Sequence, residues 1–271
     1  MTEHVHRLSK SQRRAWVTGA STGIGAAFAR RLARDRFDLA LVARSRPRLA
    51  KLAAELEKAH RVACAVVPAD LTVAADLERV AKAIGADAGL ELLVNNAGFG
   101  TVGRFAELDP AREEDEIRLN VVALVRLARA ALPGLVERRR GSIINVSSMA
   151  AFQPAPLNAT YGATKAFVNS FTESLHEELR GTGVRVQALC PGFTRTEFQE
   201  RAGIDVSGLP AFAWMSPEDV VEASLAALRR GEVVCVPGVG NRLLATAIGA
   251  MPRAVVRRLS GVAVRRFLEK K

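Results

Sequence analysis

The segment Thr18-Gly19-Ala20-Ser21-Thr22-Gly23-Ile24-Gly25 constrains this chain most, because of what stands on either side of it. It follows the apolar stretch Ala15-Trp16-Val17 and opens into a helical pattern over 26–34. Glycines between a strand and a helix supply backbone angles that side chains disfavour, and they remove bulk where two backbones must approach. At the first strand-to-helix turn, such a segment brings main-chain N–H groups and a helix N-terminus to a pyrophosphate. Glycines also serve plain turns, so the placement carries the argument.

The alternation continues along the chain. Strand patterns fall at 15–18, 39–43, 63–68, 92–95, 142–146, 184–189 and 233–236, and helical patterns fill the gaps, including 47–59, 110–132 and 217–230. This predicts an α/β architecture: a single-domain Rossmann fold with a doubly wound seven-stranded parallel sheet over 13–240, then a C-terminal extension over 241–271. With 49% hydrophobic residues, a large core needs no cross-links. No stretch reaches ~18 uninterrupted apolar residues, so no membrane span is expected.

Three motifs end strands. Asn95-Asn96-Ala97-Gly98 follows Leu92-Leu93-Val94, Ser147-Ser148 follows Val146, and Pro191-Gly192 follows Leu189-Cys190. Open parallel sheets bind ligands beyond the carboxyl ends of their strands. Tyr161 is the single tyrosine, and Lys165 stands four residues later. Residues at i and i+4 share a helix face. A nearby ammonium is expected to lower a phenol pKa from ~10, giving a proton donor and acceptor near neutral pH.

In order and without substitution, the chain carries T-G-x-x-x-G-x-G, N-N-A-G, the set Asn120, Ser148, Tyr161 and Lys165, and the Pro-Gly turn. Over about residues 13–238 it resembles the short-chain dehydrogenase/reductase family, and the segment 157–169 around Tyr161 is similar to a ketoacyl-reductase branch. The resemblance implies that Tyr161 exchanges a proton with the substrate oxygen and that Ser148 holds the same oxygen. It implies that Lys165 depresses the phenol pKa and binds the nicotinamide ribose. Asn120 would anchor a water that links Lys165 to solvent. Cofactor contacts are implied at Gly19, Ser21, Thr22, Gly23, Ile24, Gly25, Asp70, Leu71, Asn96, Ala97, Gly98, Pro191, Gly192, Phe193, Thr194 and Thr196. Ser147 reads as a structural strand-end serine.

The residue after the second strand is Arg44, where an acid would favour NAD. A basic residue there can pair with the 2′-phosphate of NADP, and Arg46 and Arg48 follow closely, so NADP(H) is the expected cofactor. For the substrate, Phe99, Ser148, Phe152, Phe198 and Trp214 are the candidates, with Leu209, Phe212 and Met215 in the segment that would close over it. Apolar walls favour a hydrophobic ketone, such as a 3-ketoacyl thioester or a steroid-like or xenobiotic carbonyl, over a sugar. A catalytically silent NADP-binding scaffold is the rival class.

Net charge is +11, of which residues 1–14 hold +3 and residues 241–271 hold +7, leaving the body near neutral. No nucleic-acid motif accompanies that charge. Cys64, Cys190 and Cys235 show no pairing or metal spacing, His4 and His6 stand in a polar tail, and no metal site is expected. The polar N-terminus lacks the apolar core of a signal peptide, and a cytoplasmic location is expected. In the extension, Val255, Val256, Leu259, Ala263 and Phe267 fall at helical spacing, interrupted by Arg266, with Arg257, Arg258 and Arg265 elsewhere. Packing or a subunit contact is the first reading and a membrane-surface helix the second. The resemblance also implies a homo-oligomer built on the helices that carry Asn120 and Tyr161.

Overall fold

The computed structural model describes residues 13–203 and 210–268, with side chains described up to residue 262. The expectations placed on His4, His6 and Leu209, and on the side chains of Ala263, Arg265, Arg266 and Phe267, lie outside the described residues.

The strands are β1 (Arg14–Thr18), β2 (Asp38–Ala43), β3 (Cys64–Pro68), β4 (Leu90–Asn95), β5 (Gly141–Val146), β6 (Val184–Leu189) and β7 (Val234–Cys235). They form one sheet in the order β3-β2-β1-β4-β5-β6-β7, parallel throughout. Helices α1 (Gly23–Arg34), α2 (Arg46–His60), α3 (Ala74–Gly85), α4 (Pro110–Ile117), α5 (Leu124–Glu137), α6 (Ala159–Glu178), α7 (Phe198–Arg201) and α8 (Pro217–Arg230) connect and cover them. The chain continues into α9 (Val239–Ala250) and α10 (Arg253–Leu268).

Alternation along the strands sorts the core into two layers, since successive side chains point to opposite faces. In β1, Ala15 and Val17 join Phe28, Leu32, Leu49 and Val221 on the face covered by α1, α2 and α8. Trp16 points the other way, to Leu77, Val80, Leu127 and Leu135 of α3 and α5. Both faces are buried, which explains the near-continuous apolar runs of these strands.

Strand order reverses between β1 and β4, and the crevice above that point receives the glycine turn and the Asn95-Asn96-Ala97-Gly98 loop. Arg14, counted in the basic N-terminus, is the first residue of β1: it is buried and paired with Asp87. The expected boundary at 240 falls inside α9, so the extension begins as part of a helix seated on the body.

The long helical pattern starting at Pro110 is not one regular helix. Between α4 and α5, residues Arg118–Ala123 form a π-helical turn, and Asn120 is in it. Among the described residues, the run Pro110–Glu137 is long and apolar enough to cross a membrane by length and composition. Its Leu124, Leu127, Ala131 and Leu135 are buried against the sheet, so it serves as a core helix.

Candidate active site

Tyr161 and Lys165 stand on the first two turns of α6, both buried. Ser148 follows β5, and its hydroxyl acts on the phenol, favouring the ionised form. Ser148 Oγ also accepts from Ala150 N at 3.1 Å, which leaves its own hydrogen for the phenol or a substrate. Ser147, beside it, donates to the Lys165 carbonyl at 3.0 Å and pins α6 to the strand end, the structural role expected. Lys165 Nζ lies 5.5 Å from the Tyr161 ring centroid and donates to the Val146 carbonyl at 2.9 Å.

The expectation that Lys165 lowers the phenol pKa is not met in this structure. Burial pushes Tyr161 up to about 12, opposed by the Ser148 hydroxyl and assisted by nearby Glu116. Burial also pushes Lys165 down to about 8. Desolvation disfavours each charged form, and it outweighs an ammonium directed at a carbonyl.

Asn120 Nδ2 donates to the Phe99 carbonyl at 2.8 Å and to Thr164 Oγ1 at 3.1 Å, while its Oδ1 accepts from Phe99 N. Gly98 sits between this amide and the lysine. A Cβ there would lie 2.8 Å from Asn120 Oδ1 and 3.5 Å from Lys165 Nζ.

Two acids in the site escaped the sequence reading. Glu113 and Glu116, both buried, share the Thr101 hydroxyl, and Glu116 also accepts from Thr101 N at 2.9 Å. Glu113 takes a further hydrogen bond from Thr160, next to the tyrosine. Burial raises the Glu116 pKa, Thr101 opposing it. Glu113, Glu116 and Asn120 are spaced i, i+3 and i+7, one helix face, and that periodicity was the signal available.

The phosphate-binding turn fits a dinucleotide. Gly19 has φ +65°, and a Cβ on Gly25 would stand 2.3 Å from the Gly19 carbonyl. Helix α1 starts at Gly23 with no acid in its first turn, and the Thr22 side chain makes no cap bond, so its N-terminus suits an anion. Ser21, Thr22 and Ile24 are part-exposed beside it. Asn96 Nδ2 donates to the Thr18 carbonyl at 2.9 Å, and Thr18 Oγ1 accepts from Asn96 N and Ala97 N, which locks the two loops together. From the far side, Thr196 packs on Gly23, and Thr194 donates to the Gly192 carbonyl.

Arg44 and Arg46 are exposed at the end of β2, in no ion pair among the described residues, whereas Arg48 pairs with Glu197 at 3.0 Å. Arg48 is thus already held by the segment after Pro191. Asp70 accepts from Thr72, and Leu71 is buried in the core, so only the Leu71 backbone can meet a ligand.

The five substrate candidates do not converge as expected. Ser148 and Phe198 reach Tyr161, the latter with ring centroids 5.5 Å apart. Phe99 lies under the Arg112 guanidinium, although its backbone holds Asn120. Phe152 packs on Ala188, Cys190 and Val236 with Ala245 of α9. Trp214 meets Phe193 at a tilted angle and lines an open depression with Gly23 and Thr196, whose lining does not include the tyrosine. Phe212 is 90% exposed. Cys190 is a buried thiol bonded to Asn169, with its pKa pushed up to about 12 by burial. No His/Cys/Asp/Glu cluster suits a metal among the described residues.

A short-chain dehydrogenase from Sphingobium yanoikuyae, solved in complex with NADPH, is 39% identical and superposes with a TM-score of 0.81, over 89% of this chain and 97% of that one. The bulky-bulky ketone specific alcohol dehydrogenase from Comamonas testosteroni is 33% identical, with a TM-score of 0.76 over 89% and 96% of the two chains. A very-long-chain 3-oxoacyl-CoA reductase from Anas platyrhynchos is 34% identical over 220 residues, 78% of this chain and 68% of that protein. The sequence profile of the short chain dehydrogenases matches residues 13–206. The chain, an oxidoreductase of CH–OH and C=O groups by that descent, belongs to the short-chain dehydrogenase family.

Proposed function

We propose that this protein is an NADP(H)-dependent reductase that interconverts a hydrophobic ketone and a secondary alcohol, with Tyr161 as acid and base. The observation that carries the reading is the buried phenol at the open end of the sheet, with Lys165 one turn along the same helix and the Ser148 hydroxyl acting on it. The glycine turn would hold the phosphates of a nicotinamide dinucleotide, which would supply the hydride. Ser148 and Tyr161 hydroxyls hold the carbonyl oxygen and meet the negative charge that grows there. The phenol, pushed up to about 12, is fully protonated at neutral pH and hands its proton to that oxygen. Lys165 and Asn120 flank Gly98 closely enough for one water to bridge them and return a proton toward the phenol.

Preference for NADP(H) rests on Arg44 and Arg46 and on the NADPH held by the Sphingobium relative. The substrate class rests on the apolar ring of Phe198 against Tyr161 and on the relatives that take a bulky ketone or a 3-oxoacyl thioester. The test is oxidation of NADPH and of NADH across a panel of ketones of rising chain length, with wild type and Arg44→Asp. Efficiency should rise with apolar size, each buried methylene adding ~0.8 kcal/mol. Arg44→Asp should weaken NADPH binding far more than NADH binding. Turnover of short polar ketones alone, or equal losses for both cofactors, would contradict the reading; cofactor binding with no turnover of any carbonyl would favour a silent scaffold.

A further inference from the structure

Helices α9 and α10 carry an outward surface of unusual character. One side of α9, formed by Asn241, Ala245 and Ile248, turns toward the body: Asn241 lies against Gly192 and Ala245 packs with Phe152. The opposite side exposes Val239 at 73% and Leu243 at 67%. In α10 the expected apolar stripe divides: Val256 is buried, while Val255, Leu259 and Val262, at i, i+4 and i+7, face outward at 42%, 55% and 48%. Arg242, Arg253, Arg257 and Arg258 are exposed on the same two helices, in no ion pair among the described residues. Between Glu232 and Glu269 the sequence contains no acid at all.

We infer that α9 and α10 form a docking surface for an anionic lipid bilayer. A second copy of this chain is a poor occupant, since a two-fold contact would bring this acid-free, arginine-bearing surface against itself. Arg242 and Arg258 flank the exposed aliphatic side chains of α9 and α10, as in an interfacial helix pair, which buries its apolar face at the headgroup boundary and meets anionic headgroups with its cations. Because α9 also touches Gly192, and Phe152 four residues beyond Ser148, docking would place the end of the protein that carries Ser148 next to the bilayer.

The test is sedimentation of the full-length protein with vesicles of phosphatidylcholine alone and of phosphatidylcholine with phosphatidylglycerol, at low and high salt. Wild type should sediment with the anionic vesicles, be released by salt, and ignore the neutral ones. Reversing charge in Arg242→Glu/Arg258→Glu should reduce vesicle binding at least twentyfold, as roughly fivefold per arginine corresponds to about 1 kcal/mol each. Leu243→Asp/Leu259→Asp should reduce it as well, with cofactor binding and oligomer size unchanged, showing that the variants remain folded. Absence of vesicle binding by wild type, or equal binding by the charge-reversed variant, overturns the inference. So does a loss of oligomer size in Leu243→Asp/Leu259→Asp, which would assign the face to a second copy.

Discussion

Two buried ionisable groups set the pH behaviour of the site, and they act in opposite directions. Lys165 falls from 10.5 to about 8 in the fold, so between those values the unfolded chain binds more protons and stability rises with pH. Tyr161 rises from 10.0 to about 12, so in that window the folded state keeps a proton the unfolded chain loses, and stability falls as pH rises. Chemical denaturation of wild type across pH 7–12 should therefore show a rise above about 8 that turns into a decline above about 9, where the raised thiols Cys64, Cys190 and Cys235 lose their protons only on unfolding, with the phenol adding to the decline above about 10. Lys165→Met should lack the rise, and Tyr161→Phe should lack the part of the decline that comes from the phenol. A Lys165→Met profile that keeps the full rise would refute the assignment. The same phenol explains a directional expectation: alcohol oxidation needs the phenolate and should speed up with pH, whereas ketone reduction uses the phenol present at neutral pH.

At the scale of elements, the glycine turn is held by sterics that tolerate little. Gly25→Ala would drive a Cβ to within 2.3 Å of the Gly19 carbonyl and 2.6 Å of Asn96 Nδ2. It should destabilise the fold by ~1–3 kcal/mol and impair dinucleotide binding together; denaturation and cofactor titration with no change in either would contradict the role given to the turn. Most of this level was legible in the sequence, because strands buried on both faces read as apolar runs and the glycines, asparagines and serines punctuate their ends. Strand β6 falls where expected, and β7 shrinks to two residues at the sheet edge. What escaped was set by tertiary context. The π turn at Asn120 has no propensity signature, the Glu113–Thr101–Glu116 cluster joins segments through folding, and the fate of Arg48 depends on Glu197 arriving from afar. Phe152 and Trp214 looked like pocket walls only because sequence proximity to a motif does not tell which way a ring turns.

At the scale of the whole molecule, two outward surfaces stand apart, the helices that carry Asn120 and Tyr161 and the pair α9 and α10. Ile117, Val122 and Phe167 stand 45%, 45% and 43% exposed on the helices that carry Asn120 and Tyr161. We propose that these helices pair between subunits, and Ile117→Arg/Phe167→Arg should lower the mass seen by light scattering; an unchanged mass would exclude this face. Removal of residues 252–271, which spares α9 and its contact with Gly192, should leave both assembly and cofactor binding in place. The phenol's part in proton transfer is read most directly by single-turnover oxidation of bound NADPH by a hydrophobic ketone, in wild type and in Tyr161→Phe. The variant removes the sole tyrosine and preserves its ring against Phe198. The account predicts unchanged NADPH affinity with a rate lowered ~10²–10⁴-fold, the usual worth of a positioned acid. An undiminished rate in Tyr161→Phe would contradict it.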